Sequence, residues 1–144
     1  MPLVDDAFIY RVLSESKTIA VVGLSPKPER HSYRVASYLL QHGYEIIPVH
    51  PRASEVLGLK AYRDLASIRV PVDIINVFRR SDQVLPVVLA ALHLRPRVIW
   101  LQLGIVNQDA ARAAEESGIP FVQDKCIMLE HKRLLGAGTC TSCL

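Results

Sequence analysis

The sequence predicts an α/β fold: a Rossmann-like, doubly wound, mostly parallel sheet of five to six strands with helices on both faces. Three observations carry this. Short β-branched runs alternate with helical patterns along the 144 residues, the signature of βα units. Several of these runs are continuously apolar, as strands buried on both faces are. Half of the residues are apolar, enough for a sizeable core, and the length fits one domain.

Taken in order, Asp5 or Asp6 caps a first helix that runs to about Ser14, with Phe8, Ile9, Val12 and Leu13 on one stripe. A first strand covers 18–22. A second helix, 32–42, turns Val35, Leu39 and Leu40 inward and stops at Gly43. The second strand, 44–49, contains Pro48, so its N–H side is unpaired or irregular there. A short third strand is expected near 59–61, then a turn at 63–66. The fourth strand is 72–78. Ser81 or Asp82 starts a helix that runs to about His93, with Pro86 disturbing its first backbone bonds. The fifth strand is 98–101. Asn107 caps a helix that Gly118 ends and Pro120 blocks. A sixth strand, 121–122, and a last helix, 127–135, complete the fold. Right-handed crossovers give the order 3-2-1-4-5-6. The topological switch then lies between the first and fourth strands, and ligands bind beyond the carboxyl ends there.

Bulk properties exclude several classes. A net charge of +3 lacks the clustered basic face of a nucleic-acid binder and is compatible with a small polyanionic ligand. No apolar run could span a bilayer, and the acidic start MPLVDD is unlike a secretory signal. A soluble, cytoplasmic protein is therefore expected. Three cysteines make no disulfide framework, and the Cys140–Cys143 pair lacks two further zinc ligands, so residues 137–144 read as a polar tail. The domain is expected to cover 1–136.

The loop after the first strand, Gly23-Leu24-Ser25-Pro26-Lys27-Pro28-Glu29-Arg30-His31-Ser32, joins a buried strand to a helix N-terminus. Gly23 lets the backbone approach a ligand, and the N–H groups that follow can cradle phosphate. Ser25, Lys27, Arg30 and Ser32 add donors. The simpler reading is a plain turn capped by Ser32. The loop is not Gly-x-Gly-x-x-Gly, and the second strand ends in His50-Pro51-Arg52, without the acid an NAD ribose needs. Arg52 can pair with a phosphate or lie solvated. Across the switch point, Val77 and Phe78 can wall an adenine and Arg79 can stack or reach phosphate, against ordinary strand packing. Gln102, Gly104 and the Asn107 helix start lie on the same edge. Trp100 reads as core.

Cys126 follows the sixth strand on that edge, about 14 Å from the first strand at the usual spacing. A nucleophile is one reading and a buried structural cysteine the other. His131 lies about 140° round the helix, too far for a simple pair, and Glu130 disfavours a thiolate. No catalytic constellation stands out elsewhere.

Four stretches in order, VVGLSPKPERHSYRVASYLLQHGYEIIPVHP, VDIINVFRR, WLQLGIVNQDAA and DKCIMLEHKRL, resemble the small stand-alone CoA-binding proteins of bacteria and archaea. These are similar to the CoA-binding domain of the succinyl-CoA synthetase alpha subunit. The resemblance covers roughly residues 7–135. The family's asparagine before the second proline is His50 here. The resemblance implies a Rossmann-like CoA binder without established catalytic activity. It implies phosphates at 23–25 with Arg30 and Ser32 near, and ADP between 50–52 and 77–79. The expectation is a non-catalytic module binding coenzyme A or an acyl-CoA, with a protein partner open. The alternatives are a thiol-dependent or CoA-redox enzyme using Cys126, and an NAD(P) sensor.

Overall fold

The computed structural model describes residues 4–136; the expected tail, with Cys140 and Cys143, lies outside them. Asp5 caps the first helix, α1 (Asp6–Glu15), its Oδ1 accepting the Phe8 N–H at 2.9 Å. The chain then runs through β1 (Thr18–Val22), α2 (His31–Gln41), β2 (Glu45–Val49), β3 (Glu55–Val56), β4 (Leu59–Lys60), β5 (Ile74–Val77), α3 (Val84–Ala91), β6 (Val98–Leu101), α4 (Gln108–Glu116), β7 (Phe121–Val122) and α5 (Ile127–His131).

The main sheet has five parallel strands in the order β2-β1-β5-β6-β7. The chain leaves β1 for β2 on one side, and β5 lies on the other, so the switch point falls between β1 and β5 as expected. Alternate residues of each strand feed two cores. Ile19, Val21, Ile74, Val98 and Trp100 face α1, α2 and α5. Ala20, Val22, Ile75, Ile99 and Leu101 face α3 and α4. Both faces are therefore covered, which explains the unbroken apolar runs. Among the described residues no helix is long and apolar enough to cross a membrane.

The expected third strand is a correction. Residues 55–60 form an antiparallel hairpin of β3 and β4, outside the main sheet. Only Tyr62, just after it, bridges Val49 in parallel sense; its N–H donates to the Pro48 carbonyl at 2.9 Å and its carbonyl accepts from His50 N at 2.8 Å. Pro48 thus points its missing N–H away from β1, on the outer side where no ladder bond is lost.

The helical run expected to start at Ser81 or Asp82 does begin at Ser81 and reaches Leu94, but its first turn, Ser81–Gln83, and its last, Leu92–Leu94, are 3-10, with α3 between them. Ser81 Oγ accepts from Val106 N at 3.1 Å, and Asp82 pairs with Arg80. Pro86, in the first turn of α3, accounts for the irregular start. The last helix is α-helical only to His131 and widens into π-type turns over Lys132–Gly136.

Candidate functional site

A groove of about 750 Å³ opens at the carboxyl edge of the sheet, over the switch point. Its lining comes from the β1–α2 loop (Gly23, Ser25, Pro26, Lys27, Arg30, His31, Ser32), the end of β2 (His50, Pro51, Arg52) and the end of β5 (Phe78, Arg79). Ten of the residues singled out in the sequence meet here.

The loop is shaped by its own serines. Ser25 N donates to Ser32 Oγ at 3.0 Å, and Lys27 N to Ser25 Oγ at 3.1 Å. Ser32 is therefore not the cap expected in the plain-turn reading. It is 7% exposed and folds the loop back onto the helix start. These two loop N–H groups are already bound, so the free donors are those of the first turn of α2, which have no carbonyl before them. The N-cap, Arg30, makes no side-chain cap bond, and the first turn contains no acid. The partial positive charge of this eleven-residue helix is thus unmatched by protein.

The charge of the lining is one-sided. Lys27, Arg30, Arg52 and Arg79 line it, no acid does, and none of the four is in an ion pair among the described residues. Arg79 Nε is buried without a hydrogen-bond partner. At the β2 end, His50 Nδ1 accepts both Arg52 N (3.0 Å) and Ala53 N (2.8 Å). An asparagine oxygen makes the same kind of turn, so histidine substitutes here without loss of the bend.

Gly23 has a structural reason as well. Its φ is +84°, and a Cβ would stand 2.2 Å from the Phe78 carbonyl oxygen. The glycine is required by the neighbouring backbone.

Four expected residues do not line the groove. Leu24 and Val77 are fully buried core residues, so Phe78 alone of that pair presents a wall. Gln102 is buried, its Oε1 accepting from Ile127 N at 2.9 Å. Gly104 donates its N–H to Asp124 Oδ1 at 2.7 Å. Pro26 and His31 line the groove although the sequence did not single them out.

Cys126 has a neighbour that the sequence did not reveal. It is buried, and its Sγ lies 3.8 Å from His31 Nε2, because α5 packs back over α2. The strand-spacing distance does not describe this return. His131 is engaged elsewhere, its Nδ1 2.7 Å from the Tyr38 hydroxyl, and Glu130 pairs with Arg133. Among the described residues no group of three His, Cys, Asp or Glu side chains is placed to hold a metal.

Residues 17–132 match the model of a family described as a CoA binding domain. The chain belongs to this CoA-binding family. Uncharacterized protein YneT of Bacillus subtilis is 45% identical over 125 residues, 87% of this chain and 93% of that one. The Thermus thermophilus structure titled cell-free ID.343 is 40% identical, with a TM-score of 0.88, covering 92% of this chain and 100% of that one. The dinucleotide forming acetyl-coenzyme A synthetase 1 of Candidatus Korarchaeum cryptofilum, solved with phosphate and ADP, is 25% identical with a TM-score of 0.69. That match covers 81% of this chain but 27% of the synthetase.

Proposed function

We propose that the groove binds coenzyme A, free or acylated, as a non-catalytic binding module. One observation carries the reading: four cations without an ion-pair partner among the described residues, and a helix N-terminus without a side-chain cap, surround a groove with no acid in its described lining. Such a lining suits several phosphates on one ligand. Membership of a family described as a CoA binding domain favours coenzyme A among such polyanions.

The residues fit that ligand. The first-turn N–H groups of α2, with Lys27 and Arg30, would hold the diphosphate. The ADP part would lie between the His50–Arg52 turn and Phe78, with Arg52 or Arg79 on the ribose phosphate. An NAD ribose would find no carboxylate at the end of β2. The cytoplasm, where coenzyme A is used, is the compartment this reading implies.

Thermal denaturation with added coenzyme A tests the proposal. A ligand at 100 times its Kd stabilises the folded chain by about 2.7 kcal/mol, so the midpoint should rise with concentration. No rise at millimolar coenzyme A would refute it. Arg30→Ala should weaken binding and flatten its dependence on salt, because one cation fewer meets the phosphates.

A further inference from the structure

We infer that Cys126 and His31 form a thiol-exchange site beside the groove, which captures the disulfide form of a thiol-bearing ligand as a mixed disulfide on Cys126 Sγ. The inference rests on the coenzyme A reading, because the groove must bring that ligand's thiol arm to the pair.

Three observations carry it. Cys126 Sγ and His31 Nε2 are 3.8 Å apart, although 95 residues separate them in the chain. His31 also lines the groove and sets its ring against Phe78 with centroids 6.2 Å apart, so the imidazole joins the groove to the sulfur. The backbone on both sides of Cys126 is fixed by side chains from the end of β6. Trp100 Nε1 donates to the Lys125 carbonyl at 2.8 Å, and Gln102 Oε1 accepts from Ile127 N. These bonds hold the Cys126 backbone in place relative to β6.

Beyond these three, two buried amides point to a ligand. Gln102 is 2% exposed, and with its oxygen on Ile127 N its Nε2 has no partner. Asn76 is fully buried with neither amide atom bonded, and it pairs in register between Val21 and Trp100, so it faces the side of the sheet that carries Cys126. Orphaned buried amides are costly unless something polar meets them. An arm with peptide-like amides, as on coenzyme A, supplies such groups.

The chemistry balances without an outside oxidant. His31 Nε2 takes the proton from Cys126 Sγ, and the thiolate attacks one sulfur of the incoming disulfide. The new S–S bond forms as the old one breaks, and the departing thiolate takes the proton back from His31. One ligand half leaves as a thiol; the other stays on Cys126.

The test uses the full chain with coenzyme A disulfide and, separately, glutathione disulfide, followed by intact mass and peptide mapping. The expected result is one coenzyme A adduct on Cys126, reversed by dithiothreitol and absent at that position in Cys126→Ser. Binding in the groove should make it form about tenfold or more faster than the glutathione adduct. His31→Gln should slow it by about tenfold or more at neutral pH and remove the contribution of the imidazole from the pH–rate profile. No adduct, adducts only on Cys140 or Cys143, equal rates for the two disulfides, or a faster reaction in His31→Gln would each overturn the inference. Calorimetry with reduced coenzyme A separates the two claims. Binding without an adduct defeats this inference alone, whereas absence of binding defeats the reading it rests on.

Discussion

Gly23 is held from two sides: its N–H donates to the Val49 carbonyl at 3.0 Å, and the Phe78 carbonyl covers the face where a Cβ would stand. Gly23→Ala should therefore destabilise the fold by about 1–3 kcal/mol or more, from the left-handed φ together with the clash. Urea denaturation measures it; an unchanged midpoint would contradict the geometry. The sequence marked this glycine as special and assigned it to ligand approach. Its tightest neighbour is instead a backbone 55 positions away, which no local pattern displays. The same holds for Cys126. Spacing correctly excluded His131, but the true neighbour, His31, comes from another helix.

At the scale of elements, two contacts set pH and stability behaviour. Asp73 precedes β5 and ties it to β1: Oδ2 accepts from Lys17 N at 2.8 Å and Thr18 N at 3.1 Å, and Oδ1 from Arg97 Nε at 3.3 Å. Burial raises its pKa, but these hydrogen bonds outweigh that and hold the carboxyl below its usual value. Asp73→Ala should cost about 1–3 kcal/mol by leaving backbone donors unpaired, read by the same denaturation.

His131, 5% exposed, is packed between α2 and the loop before β2, beside Tyr38, His42 and Tyr44. Burial, then the nearby His42, lowers its pKa below the ordinary 6.5. The unfolded chain thus takes a proton there that the folded chain resists, so stability is present above that ordinary value and is lost as pH falls toward the folded one. The melting temperature should drop between about pH 7.5 and about pH 5.5. His131→Gln should remove much of that drop, and an equal drop in the variant would assign it elsewhere. Element positions were legible where one local signal decided them, as with the Asp5 and Asn107 caps. The β3–β4 hairpin was missed because its strands are two residues each, too short for a pattern, and are fixed by the edge of β2.

For the whole molecule, the doubly wound order was readable because parallel strands and right-handed crossovers leave few arrangements. That order placed the groove, and most of its lining, before any contact was known. What it did not fix is which strand-end side chains turn outward: Leu24 and Val77 point into the core while Phe78 and Arg79 reach the groove. The resulting lining carries positive charge and no carboxylate, so on the proposed reading it should favour coenzyme A over NAD. Isothermal titration of coenzyme A, dephospho-coenzyme A and NAD into the same protein tests this most directly. Coenzyme A should bind tightest, and dephospho-coenzyme A should lose about 1.5–3 kcal/mol if a groove arginine holds the ribose phosphate. NAD binding as tightly as coenzyme A would contradict the account.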